Sequence, residues 1–174
     1  MTQELNITNI PCTAVEFGDL AADLLKMGKQ VRFRATGSSM HPLVRDGDTL
    51  LIAPCQPFSI RPGEILLCAG AQQCVVVHRV IRCKGSRNNR QFLIQGDQVL
   101  WPDGWIDASR IYGRLEEIER DGKRFNTTGP FRLLSLLIVM ARRLGLRHSK
   151  AAALLSAWLK KLPAFSGYLD QEKY

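Results

Sequence analysis

A serine in a glycine-bearing turn, a histidine in a strand and three aspartates downstream are the residues of this chain suited by type to acyl transfer. The serine lies in Gly37-Ser38-Ser39-Met40-His41-Pro42-Leu43-Val44-Arg45-Asp46-Gly47-Asp48, between the strand-like runs Val31–Ala35 and Thr49–Ala53. A turn of small residues at a strand end leaves a hydroxyl accessible and lets neighbouring backbone N–H groups face a developing oxyanion. Gly37 can take backbone angles closed to larger residues, and Pro42 fixes the exit from the turn. A hydroxyl becomes a nucleophile when a base takes its proton. His78, in the β-branched run Cys74–Arg82, is of the type that does so near neutral pH. A carboxylate on the other ring nitrogen would hold the tautomer and stabilise the imidazolium, and Asp97, Asp103 and Asp107 are the candidates. Singly, each residue has an ordinary explanation, since a Gly-Ser-Ser turn is commonly only a turn and a strand histidine commonly packs. A catalytic serine is recognised by its base and the base's orienter. His41 reads as a turn residue and His148 as linker surface.

The elements that must position these residues are mostly strands. Val15–Lys29 reads as a helix, with Phe17, Leu20, Ala21, Leu24 and Leu25 at helical spacing and Gly28 near its end. Residues 1–12 read as irregular, and the proline-containing stretch 54–63 as a loop. Glu64–Cys68 and Cys74–Arg82 read as a hairpin, followed by a strand at Gln91–Gln95. A loop with Trp101 and Trp105 runs to Asp107; both rings read as packing residues, with an apolar lip for substrate or docking on the helical tail as the alternatives. Ile111–Glu119 and Lys123–Phe125 form a last hairpin about Asp121-Gly122. The expected fold is therefore mainly β, a curled, barrel-like antiparallel sheet with an N-terminal helix. Beyond Thr127-Thr128-Gly129-Pro130 the periodicity becomes helical, and 131–144 and 149–162 read as a two-helix tail. The expected organisation is an N-terminal segment and helix over 1–30, a β domain over 31–127 and a helical tail over 128–174.

Charge separates the tail from the rest. The chain carries +8 over 174 residues, and from Phe131 onward eight Lys/Arg face two acidic residues. A basic tail suits an anionic membrane face or an acidic partner, and equally a solvated helix face. The basic residues lack interleaved aromatics, so no nucleic-acid partner is expected. Five cysteines, an odd number without a CxxC pair, argue against a disulfide framework and a zinc site. Reduced thiols in a cytoplasmic protein are expected, with no metal and no cofactor. The N-terminus has no secretory-signal pattern, and no stretch reaches the roughly 18–20 apolar residues of a membrane span.

Three matches resemble the signal peptidase clan, which also includes the self-cleaving repressors of phage and the SOS response. Ser38-Ser39-Met40-His41-Pro42 with Gly47-Asp48 is similar to its Ser-Met-x-Pro…Gly-Asp box, in which the serine directly before Met is the nucleophile. Pro62-Gly63-Glu64-Ile65-Leu66-Leu67 and Val76-Val77-His78-Arg79-Val80-Ile81 resemble its Gly-Asp-apolar strand and general-base strand. Gln95-Gly96-Asp97 through Asp103 resembles its Gly-Asp-Asn box with a second acid. The resemblance spans 31–120 and implies a signal peptidase-type core. Histidine at the base position implies the His-base branch, hence Ser39 as nucleophile, His78 as base and Asp103 as acid, with Asp97 as an alternative acid or a loop brace. It also implies an oxyanion and substrate region at Gly37, Ser38 and Met40, with Met40 at the mouth of a shallow pocket.

The sequence departs from that pattern in places. Glu64 replaces an Asp, Gln98 and Val99 replace asparagines, and Gly37 stands where some members carry a hydroxyl. The family's N-terminal transmembrane helix has no counterpart. The implied activity is serine endopeptidase cleavage of a leader or precursor peptide. The protein would be cytoplasmic and able to rest on the inner membrane face, with 131–162 meeting membrane or a partner protein. The alternative is a related binding module without activity. A self-cleaving repressor is disfavoured by the missing helix-turn-helix and Ala-Gly pair.

Overall fold

The computed structural model describes residues 5–6, 14–70, 74–87, 89–127 and 137. The chain divides into two units, Met1–Ser135 and Leu136–Tyr174. The expected tail helices 131–144 and 149–162, Cys12 and His148 lie outside the described residues, apart from Leu137.

The first unit is mainly β. After the short strand β1 (Leu5–Asn6) come the helix α1 (Ala14–Lys26) and the strands β2 (Val31–Arg34), β3 (Thr49–Ala53), β4 (Ile65–Ala69) and β5 (Val75–Lys84). Strands β6 (Gln91–Gln95), β7 (Gly104–Asp107), β8 (Ile111–Arg120) and β9 (Lys123–Asn126) follow. They form one sheet in the order β1-β2-β3-β8-β4-β5-β6-β7, with β9 on β8. β2 to β9 pair antiparallel, and β1 adds parallel to β2. The sheet is open, with β1 and β7 at the ends of the path, so the expected curl does not reach closure among the described residues.

Strand β8 organises the sheet because it is long enough to serve several partners. One side pairs with β3; the other pairs with β4 near Ile111–Arg114 and with β9 near Glu117–Arg120. Register shifts against β3 and β4 bend it, as an extra residue on one strand increases local twist. Ile60, Leu66, Val80, Phe92, Ile94 and Ile106 form a buried cluster. Full burial of such a side chain contributes about 1.5–3 kcal/mol.

Helix α1 ends at Lys26, and the chain turns away from it at Gly28, whose φ of +78° suits glycine. Ala21 and Leu25 are buried, and Phe17 meets Phe33 edge-on at 4.9 Å. Leu20, expected on the apolar stripe, is 38 % exposed. A Cβ on Gly18 would lie 2.3 Å from a Val75 methyl, so helix and sheet approach more closely there than any larger residue permits. No helix among the described residues is long and apolar enough to cross a membrane.

The first hydrogen-bonded residues, Leu5–Asn6, were expected to be irregular, and β7 lies in what reads as a loop. β7 is short and preceded by Pro102 and Asp103, which masks its signal. Its Trp105-Ile106-Asp107 nonetheless alternates, with Ile106 inward and both neighbours outward.

Candidate active site

The turn that carries Ser39 is held from both sides. Ala35 N–H donates to Asp48 O at 2.7 Å and Gly47 N–H to Ala35 O at 2.9 Å, closing the β2–β3 connection. Val44 N–H donates to Met40 O at 3.1 Å, so the chain makes a single helical turn just after Ser39. Met40, Leu43 and Val44 are buried and seat that turn in the core. Asp48, 3 % exposed, accepts two hydrogen bonds from the Arg120 guanidinium, at 2.7 Å from Nε and 2.5 Å from Nη2. That bidentate pair fixes the turn to the end of β8.

On β5, His78 and Arg79 are neighbours, so their side chains leave opposite faces of the strand. The β5–β6 register sets Arg79 opposite Gln95, which brings the segment after β6 up to His78. His78 Nε2 is 3.1 Å from Ser39 Oγ. On its other side His78 Nδ1 is hydrogen-bonded to Asp103 Oδ2. His78 is buried, while the Asp103 side chain is 21 % exposed. Serine, imidazole and carboxylate are thus joined in series, the arrangement in which a histidine takes the hydroxyl proton while its other nitrogen is held by an acid.

The three candidate carboxylates have three different partners. Asp103 meets His78. Asp97 forms a buried bidentate pair with Arg79, at 2.8 Å from Nε and 2.6 Å from Nη2, while Arg79 Nη1 donates to Gly63 O at 2.8 Å. Asp107 accepts from Gln91 Nε2 at 2.8 Å across β6 and β7. Asp97 therefore braces the loop, and Asp107 joins two strands.

Gly96 is where the loop meets Ser39 and His78. A Cβ there would lie 2.9 Å from Ser39 O and 3.0 Å from His78 Nε2, closer than a side chain fits. Gln98 N–H donates to Ser39 O at 2.8 Å, locking the loop to the turn that carries Ser39. Gly96→Ala is expected to displace the Ser39 backbone or the imidazole. A misplacement of about 1 Å costs roughly a hundredfold in rate, which single-turnover acylation of the folded variant would measure.

Two expected roles need correction. Gly37 has a φ of +89° and does need its glycine, but its N–H donates to Asp46 Oδ1 at 2.9 Å and so is not an oxyanion donor. Its Asp46 contact instead fixes the start of the turn. Met40 is 3 % exposed and anchors the turn from within rather than standing at a pocket mouth. Ser38 is exposed, and neither its N–H nor that of Ser39 has an acceptor among the described residues. His41 Nδ1 is 3.3 Å from Gln98 Nε2, a contact between turn and loop that spacing alone did not suggest. Trp101, expected to pack, is 79 % exposed, and Trp105 lies beneath Lys84 Nζ at 4.1 Å from the ring centroid.

Burial pushes the Cys68 thiol up to about 12 and the Cys55 thiol up to about 11, leaving both protonated near neutral pH. Cys55, Cys68, Cys74 and Cys83 are all free. No group of three or more His, Cys, Asp or Glu among the described residues is arranged to hold a metal ion. No protein-family model matches the sequence, and no curated protein matches it.

Proposed function

We propose that the chain is a serine endopeptidase of the signal peptidase-like kind, cleaving a leader or precursor peptide through an acyl-enzyme. The observation that carries this proposal is the series Ser39 Oγ, His78 and Asp103, with 3.1 Å between Oγ and Nε2 and the carboxylate on Nδ1. The open sheet is read as a signal peptidase-type core. The stretch 131–162 is read as a helical tail for an anionic membrane face or a partner protein.

In the first half-reaction His78 Nε2 takes the proton from Ser39 Oγ as the oxygen attacks the scissile carbonyl carbon. The carbonyl π electrons move onto oxygen, and the N–H groups of Ser38 and Ser39 supply donors to that oxyanion. Asp103 stabilises the imidazolium. The C–N bond then breaks, and His78 gives its proton to the departing amine, leaving an ester on Ser39. Water attacks this ester with His78 again as base, which releases the acid and restores the hydroxyl. Gly96 keeps the space between turn and imidazole clear, and the Arg79–Asp97 pair holds the loop that carries Asp103.

Incubation with a library of protein-derived peptides, followed by mass spectrometry of new termini, tests this function. Wild type is expected to generate termini at a consistent cleavage motif, and Ser39→Ala none. Equal termini from both would overturn the proposal. No termini from folded wild type, with or without vesicles, would favour a binding module on the same scaffold.

A further inference from the structure

The tip of the β5–β6 hairpin gathers four cations around two aromatic rings. Lys84 Nζ lies over Trp105 at 4.1 Å from the ring centroid, and the Arg87 guanidinium lies over Phe58 at 4.5 Å. The Phe58 carbonyl accepts from Arg61 Nη1 and from Arg90 Nη1, both at 3.0 Å, and Ile60 O accepts from Arg90 Nη2 at 3.0 Å. The two nitrogens that share the Phe58 carbonyl are therefore no more than about 6 Å apart, where like charges repel.

Their charge is not cancelled locally. None of the Arg61, Lys84, Arg87 and Arg90 side chains has an ion pair among the described residues. The neighbouring carboxylates are engaged by other groups. Glu64, which accepts from the Arg61 N–H, is 3.5 Å from Arg114 Nη1. Asp107, in the sheet row of Lys84 and Gln91, accepts from Gln91 Nε2 at 2.8 Å. Carbonyl oxygens and ring faces hold the four side chains in place but leave a field of one sign over the hairpin tip.

We propose that this hairpin tip is a docking surface for an acidic segment of a polypeptide, whose carboxylates pair with Lys84 and Arg87 and are drawn by Arg61 and Arg90. The proposal stands on this surface and does not depend on the endopeptidase reading. Charge complementarity selects an anionic partner, and the rings select among anions. Phe58 and Trp105 are 42 % and 37 % exposed, and each already carries a cation. The surface therefore offers charge rather than open aromatic faces. A bilayer interface favours rings free to enter the headgroup level, and single-stranded nucleic acid favours ring faces on which bases stack. A run of carboxylates needs neither.

The test titrates the full chain into a fluorescein-labelled oligoglutamate peptide at low salt and reads anisotropy. Lys84→Gln/Arg87→Gln is compared with Lys26→Gln/Lys123→Gln, which removes the same charge elsewhere on the surface. The hairpin variant is expected to bind about tenfold more weakly, as the loss of two exposed ion pairs implies, and the other variant to bind as wild type does. Raising the salt should shrink that difference. Acetylation of Lys84, followed by mass spectrometry with and without the peptide, reads the surface itself, and Lys84 should be protected while Lys123 is not. Equal affinity in the two variants, or Lys84 acetylated equally with and without peptide, would overturn the proposal. A hairpin variant that keeps its oligoglutamate affinity but loses binding to phosphatidylglycerol vesicles or to oligothymidylate would reassign the surface to that partner and likewise overturn it.

Discussion

His78→Ala is expected to lower peptide-bond hydrolysis by roughly a million-fold, the scale seen when a triad acting as a unit loses its base. The effect is large because in the proposed mechanism His78, 3.1 Å from Ser39 Oγ, would serve both halves of the reaction, taking the hydroxyl proton and returning it to the leaving amine. Ser39→Ala should fall by a similar factor, and the double variant little further, since either change leaves no activated nucleophile. Asp103→Asn keeps the shape of the acid but cannot stabilise the imidazolium and favours the wrong tautomer, which costs about ten-thousand-fold in such an arrangement. Asp107→Asn should leave hydrolysis near wild type, because that carboxylate is bonded to Gln91 rather than to the imidazole. Rates at saturating peptide, on variants with unchanged circular dichroism, check the series. A large loss in Asp107→Asn with none in Asp103→Asn would contradict the assignment of the acid.

Asp97→Ala should unfold the protein more easily, by about 3–5 kcal/mol, the usual cost of removing one partner from a buried ion pair. Arg79 and Asp97 side chains are 1 % and 2 % exposed, so the guanidinium left behind could not recover its lost hydrogen bonds from water. Arg79 would keep only its Gly63 carbonyl partner of the contacts described above. The paired replacement Arg79→Met/Asp97→Leu, of similar bulk and without buried charge, should recover most of the stability. Urea unfolding of the three proteins gives the comparison. If the double variant is as unstable as Asp97→Ala, the unpaired charge is not the cause. The single variant should also lose activity at temperatures where it remains folded, since Asp97 lies between Gly96, against the imidazole, and Gln98, on the Ser39 carbonyl.

Those contacts mark where sequence patterning stops being informative. Strands β3 and β6 are legible to the residue because β-branched and aliphatic runs are bounded by turn residues at both ends. Helix α1 is legible from its spacing, though its C-terminus falls at Lys26 rather than Lys29. β7 is hidden in the sequence because a four-residue strand that begins in glycine and follows Pro102-Asp103 is too short for its alternation to stand out from a loop. The openness of the sheet is not legible, since strand count and alternation do not say whether the two ends of the path meet.

At the site, residue types led to Ser39 and His78, but composition left Asp97, Asp103 and Asp107 open. What separates them is the β5–β6 register, which places Arg79 beside Asp97 and leaves Asp103 to the other face. Gly37 is placed in the oxyanion and substrate region by the resemblance, and its N–H donates to Asp46, nine residues on. Met40 was expected near substrate from the box it belongs to, whereas its apolar side chain follows Leu43 and Val44 into the core. For the acids the deciding contacts, His78 with Asp103 and Arg79 with Asp97, join residues well separated in the chain, which no local pattern records.

The central claim is that Ser39 is an activated nucleophile, and intact-mass analysis after exposure to a small fluorophosphonate addresses it most directly. Wild type should gain one stoichiometric adduct, located on Ser39 by peptide mapping, while Ser39→Ala and His78→Ala gain none. An adduct that persists in Ser39→Ala, or no adduct on folded wild type, would contradict it.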